Sequence, residues 1–133
     1  MYLLDTNVVS AVRQKQPGPF AWLASVPLHH CYLSVISLGE VEKGITLALA
    51  RDPRFADLLR IWSGRLRVDF LSRILPVSEP VALEWGRIAA GRTRSTADAL
   101  IAATAITHGY TLVTRNTRDF EDLPVALLDP WRG

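Results

Sequence analysis

The sequence holds one cysteine, Cys31, so no internal disulfide and no multi-cysteine zinc or iron–sulfur site can form. Histidine is scarce as well: His29, His30 and His108 are the only three. His29 and His30 adjoin Cys31, but consecutive residues of a strand point to opposite faces and do not converge on one ion. His108 precedes Gly109 at the end of a helical pattern, where the helix dipole favours a cation, and reads as structural. No apolar run approaches the roughly 18 residues of a membrane span. The chain passes from Met1-Tyr2-Leu3-Leu4 directly into Asp5, without the basic start and long apolar stretch of a signal peptide. The expectation is a soluble cytoplasmic protein with no membrane partner. GxSxG, Walker A and GxGxxG patterns are also missing, which removes the nucleophile elbow and the glycine-rich phosphate loops.

What remains is 133 residues, 49% hydrophobic and 21% charged, enough to bury one good core without staples. With no repeat, low-complexity tract or linker, residues 1–133 read as a single domain. Thirteen of the 15 basic residues are Arg, and only Lys15 and Lys43 are Lys. The guanidinium fork suits phosphate, so a nucleic-acid partner fits; a GC-rich genome produces the same bias. Charge alone decides nothing.

Short apolar runs alternate with helical patterns. Strands are expected at 1–4, 31–34, 74–77, 110–113 and 125–128. Helices are expected at 6–13, 20–25, 37–50, 53–71, 79–90 and 96–108, with Pro17-Gly18-Pro19 as a turn. Leu38, Val41, Ile45 and Leu49 form an apolar stripe on the third helix. Residues 96–108 are apolar nearly all round, which marks a central buried helix closed by Gly109. Trp22, Trp62 and Trp85 belong to the core or to an interface, with the core the favoured assignment. Arg54, Arg60, Arg65 and Arg67 on the fourth helix form either a solvated face or a phosphate surface. Strands alternating with helices make a parallel sheet covered on both faces, an α/β class fold. In such sheets the ligand crevice lies beyond the carboxyl ends of the strands.

Acids stand at several of those ends. Asp5 directly follows the first strand and precedes Thr6 and Asn7; each is also a good helix N-cap. Ser37-Leu38-Gly39-Glu40 reads as a capping box. On the helical wheel Glu40 lies opposite the apolar stripe, and Gly44 reads as a close-approach position that removes a side chain from that face. Ser95-Thr96-Ala97-Asp98 is a second box that sets Asp98 at the positive end of the buried helix. The fourth strand exits into Thr114-Arg115-Asn116-Thr117-Arg118-Asp119-Phe120. Taken singly, each acid has a structural explanation. Together on one edge they would repel unless a cation neutralised them, and Mg²⁺ or Mn²⁺ takes such oxygen ligands. An ion held there can activate water for phosphodiester hydrolysis without a His, Cys or Ser nucleophile.

Leu4-Asp5-Thr6-Asn7, Glu40 with Gly44, Asp98-Ala99-Leu100-Ile101-Ala102-Ala103-Thr104-Ala105, the segment from Thr114 to Phe120 and the closing Asp129-Pro130-Trp131 together resemble the PIN domain. The likeness is greatest to VapC-type toxins of bacterial toxin–antitoxin pairs, including the FitB-like branch. It implies a three-layer α/β/α domain with a central parallel sheet of about five strands. It also implies a Mg²⁺- or Mn²⁺-dependent endoribonuclease, with Asp5, Glu40 and Asp98 as the acidic triad. Thr6, Asn7 and Thr114 would support the triad. Asn116 or Asp119 would fill the fourth acidic place. The implied partners are RNA, a second copy of the chain, and a cognate VapB-like antitoxin whose tail lies in the active-site groove and through which alone operator DNA is bound. Three other readings compete: a scaffold in a DNA-binding repressor with vestigial acids, a metal-free ribonuclease using histidine on the 2′-OH, and a receiver-like domain with Asp5 as phosphoacceptor.

Overall fold

The structure is a computed structural model that describes residues 1–132. Its core is a five-stranded sheet in the order β3-β2-β1-β4-β5, built from β1 (Tyr2–Leu4), β2 (Cys31–Ser34), β3 (Ile74–Leu75), β4 (Thr111–Val113) and β5 (Leu127–Leu128). Every pairing is parallel; Tyr2 sits opposite Cys31 on one side and Thr111 on the other. The six helices are α1 (Thr6–Arg13), α2 (Pro17–Ser25), α3 (Val35–Arg51), α4 (Pro53–Asp69), α5 (Glu79–Ala89) and α6 (Thr96–His108).

The strand period of two divides the core into two layers. Leu3 and Leu112 face one side, where they join Val81, Ile88, Phe120 and the buried residues of α6. Leu4, Cys31, Leu33 and Val113 face the other, against Val8, Val9, Leu66 and Phe70. Helices therefore cover both faces, which is why the strands read as unbroken apolar runs. Within α6, Ile101 through Ala105 are all buried, and Gly109 ends it at φ +69°, a left-handed conformation that glycine adopts without strain. Trp22, Trp62 and Trp85 are half-buried and pack against these cores. Arg54, Arg60, Arg65 and Arg67 of α4 are all exposed.

Several expected elements shift. Pro17 begins α2 as its first helical residue, so Pro17-Gly18-Pro19 is helix and not a turn; proline has no N–H to lose there. The helix α3 starts at Val35, earlier than its apolar pattern predicts, because Ser34 is its N-cap, accepting from the Ile36 N–H at 3.0 Å. Ser37 is thus inside the helix and caps nothing. The buried stripe of α3 is Ser37, Val41 and Ile45, while Leu49 is exposed. The strands β3, β4 and β5 are each shorter than expected. No helix among the described residues is long and apolar enough to cross a membrane.

The carboxyl-terminal turn, Pro130–Arg132, packs on α2. A Cβ on Gly18 would stand 2.8 Å from the Pro130 carbonyl oxygen and 3.1 Å from the Trp131 Cα, both backbone atoms. Most helical Gly→Ala changes stabilise by reducing the freedom of the unfolded chain. Here the sign reverses. Gly18→Ala is expected to cost about 1–3 kcal/mol as the tail is pushed off α2, seen as a lower midpoint in urea or thermal unfolding; an unchanged or higher midpoint contradicts the close approach.

Candidate active site

The chain winds from β1 to β2 and β3 on one side of the sheet, then returns to place β4 on the other side of β1. The crevice of such a sheet opens where the winding reverses, between the carboxyl ends of β1 and β4. Asp5 and Thr114 are the residues that leave those two ends. The Asp5 N–H still donates to the Val113 carbonyl at 2.9 Å, and the Thr114 N–H to Leu128 at 2.9 Å, so both residues are fixed by the ladder itself.

The Asp5 carboxylate is almost wholly buried, 4% exposed. Its Oδ1 accepts the Thr6 N–H at 2.8 Å, the helix-capping bond, and its Oδ2 accepts the Thr114 hydroxyl at 2.8 Å. The Asn7 amide lies 3.4 Å from both Asp5 Oδ2 and Thr114 Oγ1. Capping and site assembly are thus one arrangement. The Thr6 hydroxyl sits 2.6 Å from Glu40 Oε1 and 2.8 Å from the Ser37 hydroxyl. Each hydroxyl has one proton, so Ser37 donates to Thr6 and Thr6 donates to the carboxylate. Asp98 lies in the first turn of α6, where its N–H donates to Ser95 Oγ at 3.1 Å.

Burial pushes the Asp5 carboxyl from 3.8 up to about 6; the Thr114 and Thr6 bonds pull it down, and the charges of Asp98 and Glu40 push it further up. These repulsions identify Asp98 and Glu40 as electrostatic neighbours of Asp5. None of the three acids pairs with a Lys or Arg among the described residues. An uncompensated, all-oxygen cluster is the donor set of a hard divalent cation. Among the described residues the structure does not bring three His, Cys, Asp or Glu side chains close enough together to hold a metal ion as they stand.

Two sequence expectations about Glu40 change. It does not lie opposite the buried stripe: it stands one turn beyond Ser37, on the margin of that stripe, which brings it to Thr6. Nor is Gly44 a close-approach position, since a Cβ there would meet nothing within 4 Å. Asp119 also departs from the acidic group. Its carboxylate lies 3.5 Å from Arg92, its carbonyl accepts from Arg94 Nε at 3.2 Å, and it is not among the charges acting on Asp5. Asn116 is the nearer of the two, with its N–H on Thr114 Oγ1 at 3.1 Å; its side chain is exposed at the rim.

Sequence reasoning misses two contributors. Ser37 reads as a cap, although a serine three residues before the acid, on the face toward the core, can equally relay a hydrogen bond. Arg94, only 5% exposed, grips Asp122 through Nη2 at 2.6 and 2.8 Å. This bond holds the Asp122 carboxyl below its usual range. Arg94 thereby stitches the segment before α6 to the loop after β4, fixing the turn that carries Asp98. Nothing in the local sequence marks that pairing.

A parallel sheet with its acids at this switch point defines the class: the chain belongs to the PIN domain family, which matches over residues 2–126. It is 38% identical to Toxin FitB of Neisseria gonorrhoeae, with 98% of this chain and 99% of that one covered. It is 30% identical to VapC ribonuclease Y4jK of Sinorhizobium fredii, with 98% of both covered. Among solved structures, FitAB bound to an IR36 DNA fragment superposes with a TM-score of 0.86 at 37% identity, covering 98% of this chain and 96% of that one.

Proposed function

We propose that this chain is the toxin of a toxin–antitoxin pair, an endoribonuclease in which Asp5, Glu40 and Asp98 hold a Mg²⁺ or Mn²⁺ ion. The observation that carries this reading is the buried Asp5 carboxylate, pressed by two further acids and lacking any cationic side chain to balance it. Family membership and the names of the relatives support it. The bound ion would neutralise the three acids, polarise the scissile phosphate and lower the pKa of a water.

The chain's own groups prepare for this. Thr114 and the Thr6 N–H lock both oxygens of Asp5 in one rotamer. Thr6 fixes Glu40 Oε1 and leaves Oε2 without a partner among the described residues. Asp98 stands in the first turn of α6, at the positive end of that helix. Attack by water forms a new P–O bond and breaks the bond to O3′, leaving a 5′-phosphate and a 3′-hydroxyl, with the 2′-OH uninvolved. The antitoxin would occupy the same groove, operator DNA would be reached only through the antitoxin, and the toxin would act as a homodimer.

The deciding experiment expresses the chain with and without the neighbouring reading frame and maps RNA ends. Growth arrest relieved by the neighbour, with new 5′-phosphate ends at defined sites, is the expected outcome. Arrest-free expression of a folded protein, or ends bearing a cyclic phosphate, would defeat it.

A further inference from the structure

Immediately beyond Thr114 the chain opens a second cleft, about 290 Å³, lined by Arg115, Asn116, Arg118 and Arg132 together with Asp119 and Glu121. Two of its charges are already offset: Asp119 pairs with Arg92, and Arg132 lies 3.6 Å from Asp129. Arg115 and Arg118 have no carboxylate partner among the described residues. Arg115 is nevertheless not free to wander. Its guanidinium stacks over the Trp131 ring, 5.1 Å from the centroid, and its backbone N–H points to Asn7 Oδ1 at 3.4 Å.

Trp131 is fixed from three directions. Its indole Nε1–H donates to Gln16 Oε1 at 2.9 Å, its backbone N–H to Asp129 Oδ1 at 2.9 Å, and its Cα rests where only a glycine at position 18 leaves room. The carboxyl-terminal turn is thus an aromatic shelf bolted to α2. It presents a cation one residue from the hydroxyl that holds Asp5.

We propose that Arg115, set in place by Trp131, binds a backbone phosphate of the RNA strand next to the bond being cut, so that the carboxyl-terminal turn is part of the substrate site. This inference rests on the ribonuclease reading above. An acidic cluster repels the phosphates on either side of the reacting one, and a fixed guanidinium fork beside it offsets that repulsion with directed hydrogen bonds. A stacked guanidinium has little rotamer freedom left to lose when the strand arrives. Arg115 contacts the substrate; Trp131 is a positioning residue that acts through it.

The test measures binding of a fluorescein-labelled, single-stranded RNA of mixed sequence to the Asp98→Asn protein across a salt series, with cleavage by the Asp98-containing chain followed on the same RNA. Arg115→Gln is expected to weaken binding about three- to tenfold, to raise KM more than it lowers kcat, and to reduce the slope of log K against log salt by about 0.7, one single-strand phosphate contact. Trp131→Ala should reproduce part of that loss, Trp131→Phe should restore it, and Trp131→Ala should add nothing in the Arg115→Gln background. An unchanged slope in Arg115→Gln, or independent additive losses from the two positions, overturns the proposal. So does a defect confined to antitoxin binding, which would assign the cleft to the protein partner. Retained cleavage with an unchanged slope removes the arginine contact alone, whereas absence of both RNA binding and cleavage in the unsubstituted chain removes the ribonuclease reading with it.

Discussion

Asp5→Asn is expected to abolish cleavage while making the ion-free protein more stable. The loss should reach a hundredfold or more, because the substitution removes the central carboxylate of the cluster and with it the charge that would hold the ion. The gain follows from the carboxyl being held at about 6 instead of 3.8 by burial and by its acidic neighbours. Between those two values the folded chain keeps a proton that the unfolded chain has released. Stability therefore falls as pH rises through that window and stays level above it. The gap amounts to about 3 kcal/mol at most, less whatever the amide loses in trading one accepting oxygen for a donor opposite Asn7. Urea melts from pH 4 to 8 should show the decline in the parent chain and a flatter profile in Asp5→Asn. Parent-like cleavage by a folded Asp5→Asn protein would end the case for the cluster.

Removal of divalent cations should have an effect of the same size. Chelation is expected to reduce RNA cleavage to background, and added Mg²⁺ or Mn²⁺ to restore it. The cation should also stabilise the folded chain by about 2–3 kcal/mol at a hundredfold excess over its dissociation constant, and by far less in Asp5→Asn or Asp98→Asn. Because a cation favours ionised Asp5, the pH-dependent decline should move to lower pH when it is present. Cleavage that survives chelation and leaves cyclic phosphates would point instead to histidine acting on the 2′-OH.

Much of the architecture is legible in the sequence because several local signals agree. For α6, a Ser N-cap, an acid in the first turn, unbroken apolar character and a closing glycine all give 96–108. The helix α1 and strand β2 are bounded by equally plain chemistry. Disagreements arise where one residue type has two uses. Proline reads as a turn-former, but Pro17 serves as a first helical residue. Serine occurs at both 34 and 37, and which one caps depends on where the sheet releases the chain, a tertiary matter. Glu40 stands out in the sequence for a reason that does not hold, since the stripe it is set against includes the exposed Leu49. The partnership of Arg92 and Arg94 with Asp119 and Asp122 is illegible. It links loops more than 20 residues apart in sequence, and no periodicity records such a contact.

The bond between Asp5 and Thr114 spans 109 positions of the chain. All three acids precede its second partner, yet β4 must dock beside β1 before the crevice has two walls. A chain cut short ahead of Thr114 would carry all three acids but lack the hydroxyl that donates to Asp5 Oδ2. Under the proposed function, a centre that needs this long-range closure would be complete only once β4 has docked beside β1, when nearly the whole chain has been made.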